Sequence, residues 1–189
     1  TVEAGAIVND SIVWESRGSR SLFGRVGVSG LANVDISPEL AARVAMAFAT
    51  TLRKDTTVAT SRDSSRAARM LKRAFIAGLN ASGANVVDLE MASVPVTRYL
   101  ARQPGNAAGV TIRLVDTDPQ AVVIRFFDDQ GIDITEDAQR KIERLLNRED
   151  FRRVLASEIG DFTFSSRALE HYTEALGATV DLRAVQSAG

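Results

Sequence analysis

The sequence predicts an α/β fold, a three-layer domain in which a mixed, mostly parallel sheet lies between layers of helices. Two observations carry this. From Ser21 onward, short β-branched runs alternate with amphipathic segments, and several of those segments begin on a side chain that caps a helix. Ser37-Pro38-Glu39 combines a hydroxyl cap, a proline where no N–H is needed and an acid near the positive end of the helix dipole. Leu40, Val44 and Phe48 then recur at helical spacing. Thr57 to Ser61 reads as a strand, and the segment after Ser64 sets Ala68, Leu71, Phe75 and Leu79 on one stripe before Gly83 closes the helix. Asn85 to Leu89 is the next strand, Pro95 to Leu100 a brief helix, and 107–114 and 121–127 two further strands. Thr135 caps a last helix through Asn147, with Ala138, Ile142 and Leu145 facing inward.

Composition narrows the function. The chain has 189 residues, 45% of them apolar, enough for one packed domain. Its 23 Lys and Arg against 24 Asp and Glu leave a net charge of −1, so no whole-chain field draws in nucleic acid. Cysteine is absent, which removes thiolate nucleophiles, thiolate metal sites and disulfides together. No apolar run approaches the ~18 residues of a membrane span, and no secretion signal opens the chain. These features point to a cytoplasmic protein without membrane contact.

The two ends read differently from the middle. Val2, Val8 and Trp14 fall at six-residue spacing with small or polar residues between them, which suits either the end of a left-handed β-helix or a lone arm. After about Phe151 comes a polar connection, then Ser166 leads into a helix carrying Leu169, Tyr172 and Leu176. The expected organisation is thus 1–20 as a hexapeptide-repeat end or arm, 21–150 as the α/β domain, and 151–189 as a linker and the start of a second domain. A first residue Thr1 and a last segment Ser187-Ala188-Gly189 suit a piece of a larger polypeptide.

The segment Leu22 to Gly30, with Asn33, Ile36-Ser37-Pro38-Glu39-Leu40 and Phe48, resembles the opening of the phosphohexomutase family, the phosphoglucomutases and phosphomannomutases. Ser61-Arg62-Asp63-Ser64-Ser65-Arg66 is similar to that family's glycine-arginine-aspartate turn. Ala77-Gly78-Leu79, Gly83, Val86-Val87-Asp88-Leu89, Pro95, Gly131, Ile142 and Glu143 follow in the family's order. The similarity spans about residues 21–150 and implies the family's first domain.

The departures from that pattern bear on chemistry. The family's strand beginning with glycine runs into a loop reading threonine-alanine-serine-histidine-asparagine-proline, whose serine holds the exchanged phosphoryl group. Aligned without a gap from Gly109 through Ile124, Arg125 and Phe127, this chain reads Arg113, Leu114, Val115, Asp116, Thr117 and Asp118. Val115 therefore occupies the phosphoserine position and has no oxygen to accept phosphate. Asp116 would repel an incoming phosphate beside it. Thr117 has a hydroxyl two positions away, outside the matching loop. Ser29 replaces the arginine expected near the family's phosphoserine, and Arg25 replaces a threonine. Arg125 keeps a cation where the family has lysine. Arg62, Asp63 and Arg125 read either as a vestigial phosphate-binding set or, for Arg62 with Asp63, as an ion pair that orders a turn. No residue is assigned a catalytic role.

Other groupings have plain alternatives. Arg62, Arg66, Arg69 and Arg73 form a basic stripe that could grip a phosphate or an acidic surface, or simply be a solvated helix face. Asp128 to Asp133 lacks the alternating carboxylates of a calcium loop and reads as a turn with Gly131 at positive φ. His171, the single histidine, has no partner on a recognisable motif. Gly24, Gly27 and Gly30 miss the dinucleotide-binding spacing and read as a compact loop.

By resemblance, a complete mutase binds magnesium in its second domain, so no cofactor or metal is expected in this chain. The hexapeptide-like spacing resembles the β-helix that ends some mannose-1-phosphate guanylyltransferases, a class of sugar nucleotidyltransferase, some of which are fused to a mutase-like region. The expectation is a degenerate, non-catalytic mutase-like domain from a GDP-mannose-forming protein, inactive alone. Its expected partners are the remainder of its polypeptide, a hexose phosphate and further copies of itself. The alternative is part of an active phosphohexomutase with a relocated phosphoryl acceptor.

Overall fold

The computed structural model describes residues 21–179. The hexapeptide-like spacing at Val2, Val8 and Trp14 lies outside them. Seven strands form one sheet: β1 (Phe23–Gly24), β2 (Gly27–Leu31), β3 (Thr57–Arg62), β4 (Asn85–Met91), β5 (Asn106–Val115), β6 (Asp118–Phe127) and β7 (Phe162–Phe164), in the order β1-β2-β6-β5-β3-β4-β7. β2, β3, β4, β5 and β7 run one way, and only β1 and β6 oppose them, so the sheet is mixed and mostly parallel. The helices are α1 (Pro38–Thr51), α2 (Arg66–Ala81), α3 (Val94–Ala101), α4 (Glu136–Arg148) and α5 (Ala168–Gly177).

Capping side chains fix where three helices begin. Ser37 Oγ accepts the Leu40 amide at 3.2 Å, Ser65 Oγ the Ala68 amide at 3.1 Å, and Thr135 Oγ1 the Ala138 amide at 3.3 Å. Each helix then buries its apolar stripe. Leu40, Val44 and Phe48 of α1, Leu71, Phe75 and Leu79 of α2, and Ile142 and Leu146 of α4 pack on one face of the sheet, against Val58, Val110, Ile112 and Ile124. Leu146 is fully buried and Leu145, half-buried, packs against the same core, as positions four and three residues beyond Ile142 should. Phe126 centres this core, with the rings of Phe23, Phe48 and Phe75 at 5.4, 5.0 and 5.9 Å. On the other face a smaller cluster joins Ala59 and Leu89 to Val96 and Leu100 of α3 and Ala168 of α5.

The glycines of the opening segment do not form a compact loop. They build the β1–β2 hairpin, whose second strand pairs with β6. Gly27 has φ +133°, and a Cβ there would stand 2.2 Å from the Ile124 carbonyl oxygen, so the close approach requires glycine. Gly131 takes φ +70°, as its turn predicts.

The stretch read as a polar connection contains a strand. β7 adds in parallel to β4, with Phe164 opposite Asp88. Arg152 ties this stretch to the domain by donating to the carbonyls of Ala49, Leu52 and Ser82 at 2.8, 2.9 and 2.8 Å, at the C-terminal ends of α1 and α2.

One buried charge pair joins helix to sheet. Lys72 of α2 donates to Asp88 Oδ2 at 2.7 Å, and both side chains are nearly inaccessible, at 5% and 6% exposure. Burial pulls the Lys72 ammonium below the usual lysine range, against the Asp88 carboxylate that favours its charge. Lys72→Met should strand the Asp88 charge and destabilise the domain by about 3–5 kcal/mol in urea unfolding, while Lys72→Met with Asp88→Asn recovers most of that loss. A double variant no more stable than the single one would count against a pair held by its charges.

Candidate functional site

The connections β3–α2–β4 and β4–α3–β5 place α2 and α3 on opposite faces of the sheet, and β4 and β5 flank β3 on opposite sides. The carboxyl ends of β3 and β5 therefore form a topological switch point, where open α/β sheets make their ligand crevices. The turn Arg62 to Ser65 and the tip of the β5–β6 hairpin meet there.

Asp63 bridges the two sides of that crevice. Its Oδ2 accepts the Leu114 amide at 2.6 Å, and its Oδ1 accepts the Ser65 amide at 2.8 Å. Burial raises its pKa, but hydrogen bonds from Ser65 and Leu114, with the Arg113 charge nearby, outweigh that and hold the carboxyl below the usual aspartate range. Arg62 does not ion-pair with Asp63, as the sequence reading allowed. Its Nη1 donates to the Asp63 carbonyl at 2.8 Å, because the carboxylate already serves two backbone amides.

Val115 ends β5. It pairs with Asp118 across a two-residue turn of Asp116 and Thr117, both exposed, while Val115 itself is half-buried. The segment that the resemblance aligns with a phosphate-bearing loop is here a tight hairpin.

Arg62 and Arg125 are not brought together. Arg125 stands opposite Thr111 in the β5–β6 ladder, and the Thr111 hydroxyl belongs to a buried chain in which Thr97 Oγ1 of α3 donates to Ser61 Oγ at 2.6 Å and Ser61 Oγ to Thr111 Oγ1 at 3.0 Å. Arg125 thus emerges on the α3 face, whereas Arg62 borders α2 on the other. Arg125 donates to Asp133 at 3.1 Å, and Arg98 of α3 also bonds Asp133 and lies over the Phe127 ring at 4.4 Å. The Arg125 Nε is buried without a hydrogen-bond partner. Arg98 and Asp133 carried no motif. The signal was the single cation left in an apolar strand, which demands a counter-charge once the strand is buried.

Ser29 and Arg25 are exposed at the β1–β2 hairpin, and His171 is exposed on α5. In the Asp128 turn, Asp128 Oδ1 accepts the amides of Gln130 and Ile132, each at 2.9 Å. Among the described residues no group of three or more His, Cys, Asp or Glu side chains could hold a metal ion.

The family model for phosphoglucomutase/phosphomannomutase, alpha/beta/alpha domain I, matches residues 20–153. The chain belongs to this family. It is 31% identical over 169 residues to a phosphoglucomutase/phosphomannomutase of Thermococcus kodakarensis, covering 87% of this chain and 37% of that protein. It is 31% identical over 166 residues to a phosphoglucosamine mutase of Alkaliphilus oremlandii, covering 85% and 37%. The crystal structure of a putative phosphomannomutase from Thermus thermophilus superimposes with a TM-score of 0.73 at 25% identity, over 86% of this chain and 36% of that one. The chain thus spans just over a third of the length of these phosphohexomutase relatives.

Asp63→Ala should leave two backbone amides without their acceptor and cost on the order of 2 kcal/mol in denaturant unfolding. Asp63→Asn tests the charge itself. Because the folded carboxyl titrates below its unfolded value of about 3.9, the charge stabilises the fold above that pH and stops doing so as pH falls through the folded value. The stability gap between wild type and Asp63→Asn should be constant near neutrality and close below about pH 4.

Proposed function

We propose that this chain is a non-catalytic phosphohexomutase-family domain that serves assembly, regulation or phosphosugar binding in a sugar-phosphate or sugar-nucleotide protein. The observation that carries this reading is the hairpin tip. Val115 offers no oxygen where the family alignment requires a serine, and the strand ladder continues through it to Asp118. The crevice beside it is bridged by the Asp63–Leu114 hydrogen bond. What stays of the family turn has a sufficient structural task.

The six-residue spacing of Val2, Val8 and Trp14 supports a narrower version, in which the parent protein carries an upstream mannose-1-phosphate guanylyltransferase and makes GDP-mannose. The rest of that polypeptide, and further copies of this chain, are then its partners. A cytoplasmic setting belongs to the same reading, supported by the absence of cysteine. No described helix is long and apolar enough to cross a membrane. Residues 1–20 would be the junction, 21–150 the mutase-like domain and 151–189 the linker towards a further domain.

A second reading is favoured by the names of the relatives, which are mutases. In it the parent is an active phosphohexomutase whose phosphoryl acceptor has moved, with the exposed Thr117 hydroxyl as the candidate. The two separate on one experiment. Full-length parent protein incubated with mannose 1-phosphate and a hexose 1,6-bisphosphate should form no mannose 6-phosphate and carry no covalent phosphate in peptide mapping. Sustained turnover with phosphate mapped to Thr117 would establish the second reading instead.

A further inference from the structure

The basic stripe of α2 has no task in the mutase-family reading. Arg69 and Arg73, joined by Arg62 from the end of β3, line a cavity of about 270 Å3 between α2 and the outer strands β4 and β7. None of these three guanidiniums forms an ion pair among the described residues, although Arg98, Arg125, Arg140 and Arg167 all do. The buried Lys72–Asp88 pair forms the inner wall and is neutral as a unit.

A fourth charge is delivered by strain. The β3–β4 ladder passes from Thr60 opposite Asp88 to Arg62 opposite Met91, so β4 carries one extra residue in a bulge. Glu90 sits in that bulge at φ +52°, a conformation unfavourable for glutamate, with its amide held by Asp88 Oδ1 at 2.9 Å. The bulge leaves Glu90 lining the same cavity. Four cations, Arg62, Arg69, Lys72 and Arg73, then face two carboxylates, Asp88 and Glu90, which leaves a net charge of +2. The outer wall is aromatic: Phe162 and Phe164 of β7 meet edge to face at 4.8 Å, and Phe164 is 63% exposed.

The geometry points to a binding site for a small phosphate monoester of a polyol. A phosphate monoester carries close to two negative charges at neutral pH, which matches the charge left in the cavity. Guanidinium forks suit phosphate oxygens, a carboxylate suits the hydroxyls of the organic part, and an exposed aromatic ring suits its C–H face. The volume, just under the usual ~300 Å3 of ligand pockets, limits the site to a single small ligand that stays partly in solvent. The site borders α2, on the face of the sheet opposite Arg125, so it stands whether or not the hairpin at Val115 is catalytically silent.

Calorimetric titration of the chain with glucose 6-phosphate, inorganic phosphate and glucose tests the assignment. Glucose 6-phosphate should bind one to one, inorganic phosphate more weakly and glucose not at all. Arg69→Gln and Arg73→Gln, both on the exposed helix face, should each weaken the sugar phosphate by about tenfold with unfolding temperature unchanged. Glu90→Gln should weaken the sugar phosphate but not inorganic phosphate, and Arg140→Gln on α4 should change nothing. Four results would overturn the proposal: no heat at about 10 mM ligand, binding of inorganic phosphate alone, indifference to Arg69→Gln and Arg73→Gln, or equal weakening by Arg140→Gln.

Discussion

The carboxylate of Asp63 joins the start of α2 to the tip of the β5–β6 hairpin, two parts of the chain some 50 residues apart in sequence. It accepts one amide from each, at 2.8 and 2.6 Å. Backbone amides at a buried crevice need acceptors, and here water is replaced by one ionised side chain. It thereby ties the start of α2 to the end of β5. The same contact lies at the switch point between β3 and β5.

That arrangement separates fold from chemistry in this family member. Val115, at the end of the hairpin strand, has no oxygen with which to take part in phosphoryl transfer. Holding the turn needs only a carboxylate and two amides, and these are present. Under the proposed non-catalytic reading, the architecture outlasts the reaction because different atoms carry the two tasks. The sheet divides the remaining cations as well. Arg125 is committed to Asp133 on the α3 face, while Arg62 joins Arg69 and Arg73 beside α2.

Elements whose signals are local were legible in the sequence. Ser37, Thr135 and the stripe from Ala68 to Leu79 marked helices that the structure contains, since capping and apolar periodicity act within one or two turns. The β1–β2 hairpin was not legible, because its register depends on the backbone of β6, about 100 residues away. β7 was missed for a similar reason. Three exposed residues have no periodicity of their own, and only the free edge of β4 and the clasp of Arg152 make them a strand. The Lys72–Asp88 pair had no local signal at all, because it exists only through the packing of α2 on β4.

Residue identity and near-neighbour spacing were enough for the alternation of strands and helices, the family likeness and the absence of an oxygen at Val115. The side of the sheet that each cation occupies emerged only from the folded chain. Along a strand the side alternates with every residue, and a single bulge, such as the one at Glu90, resets that alternation. Arg62 and Arg125 looked like parts of one phosphate site in the linear order and stand on opposite faces in the fold. The basic stripe, read as an open helix surface or a grip, became one wall of a cavity once β4 and β7 closed against it.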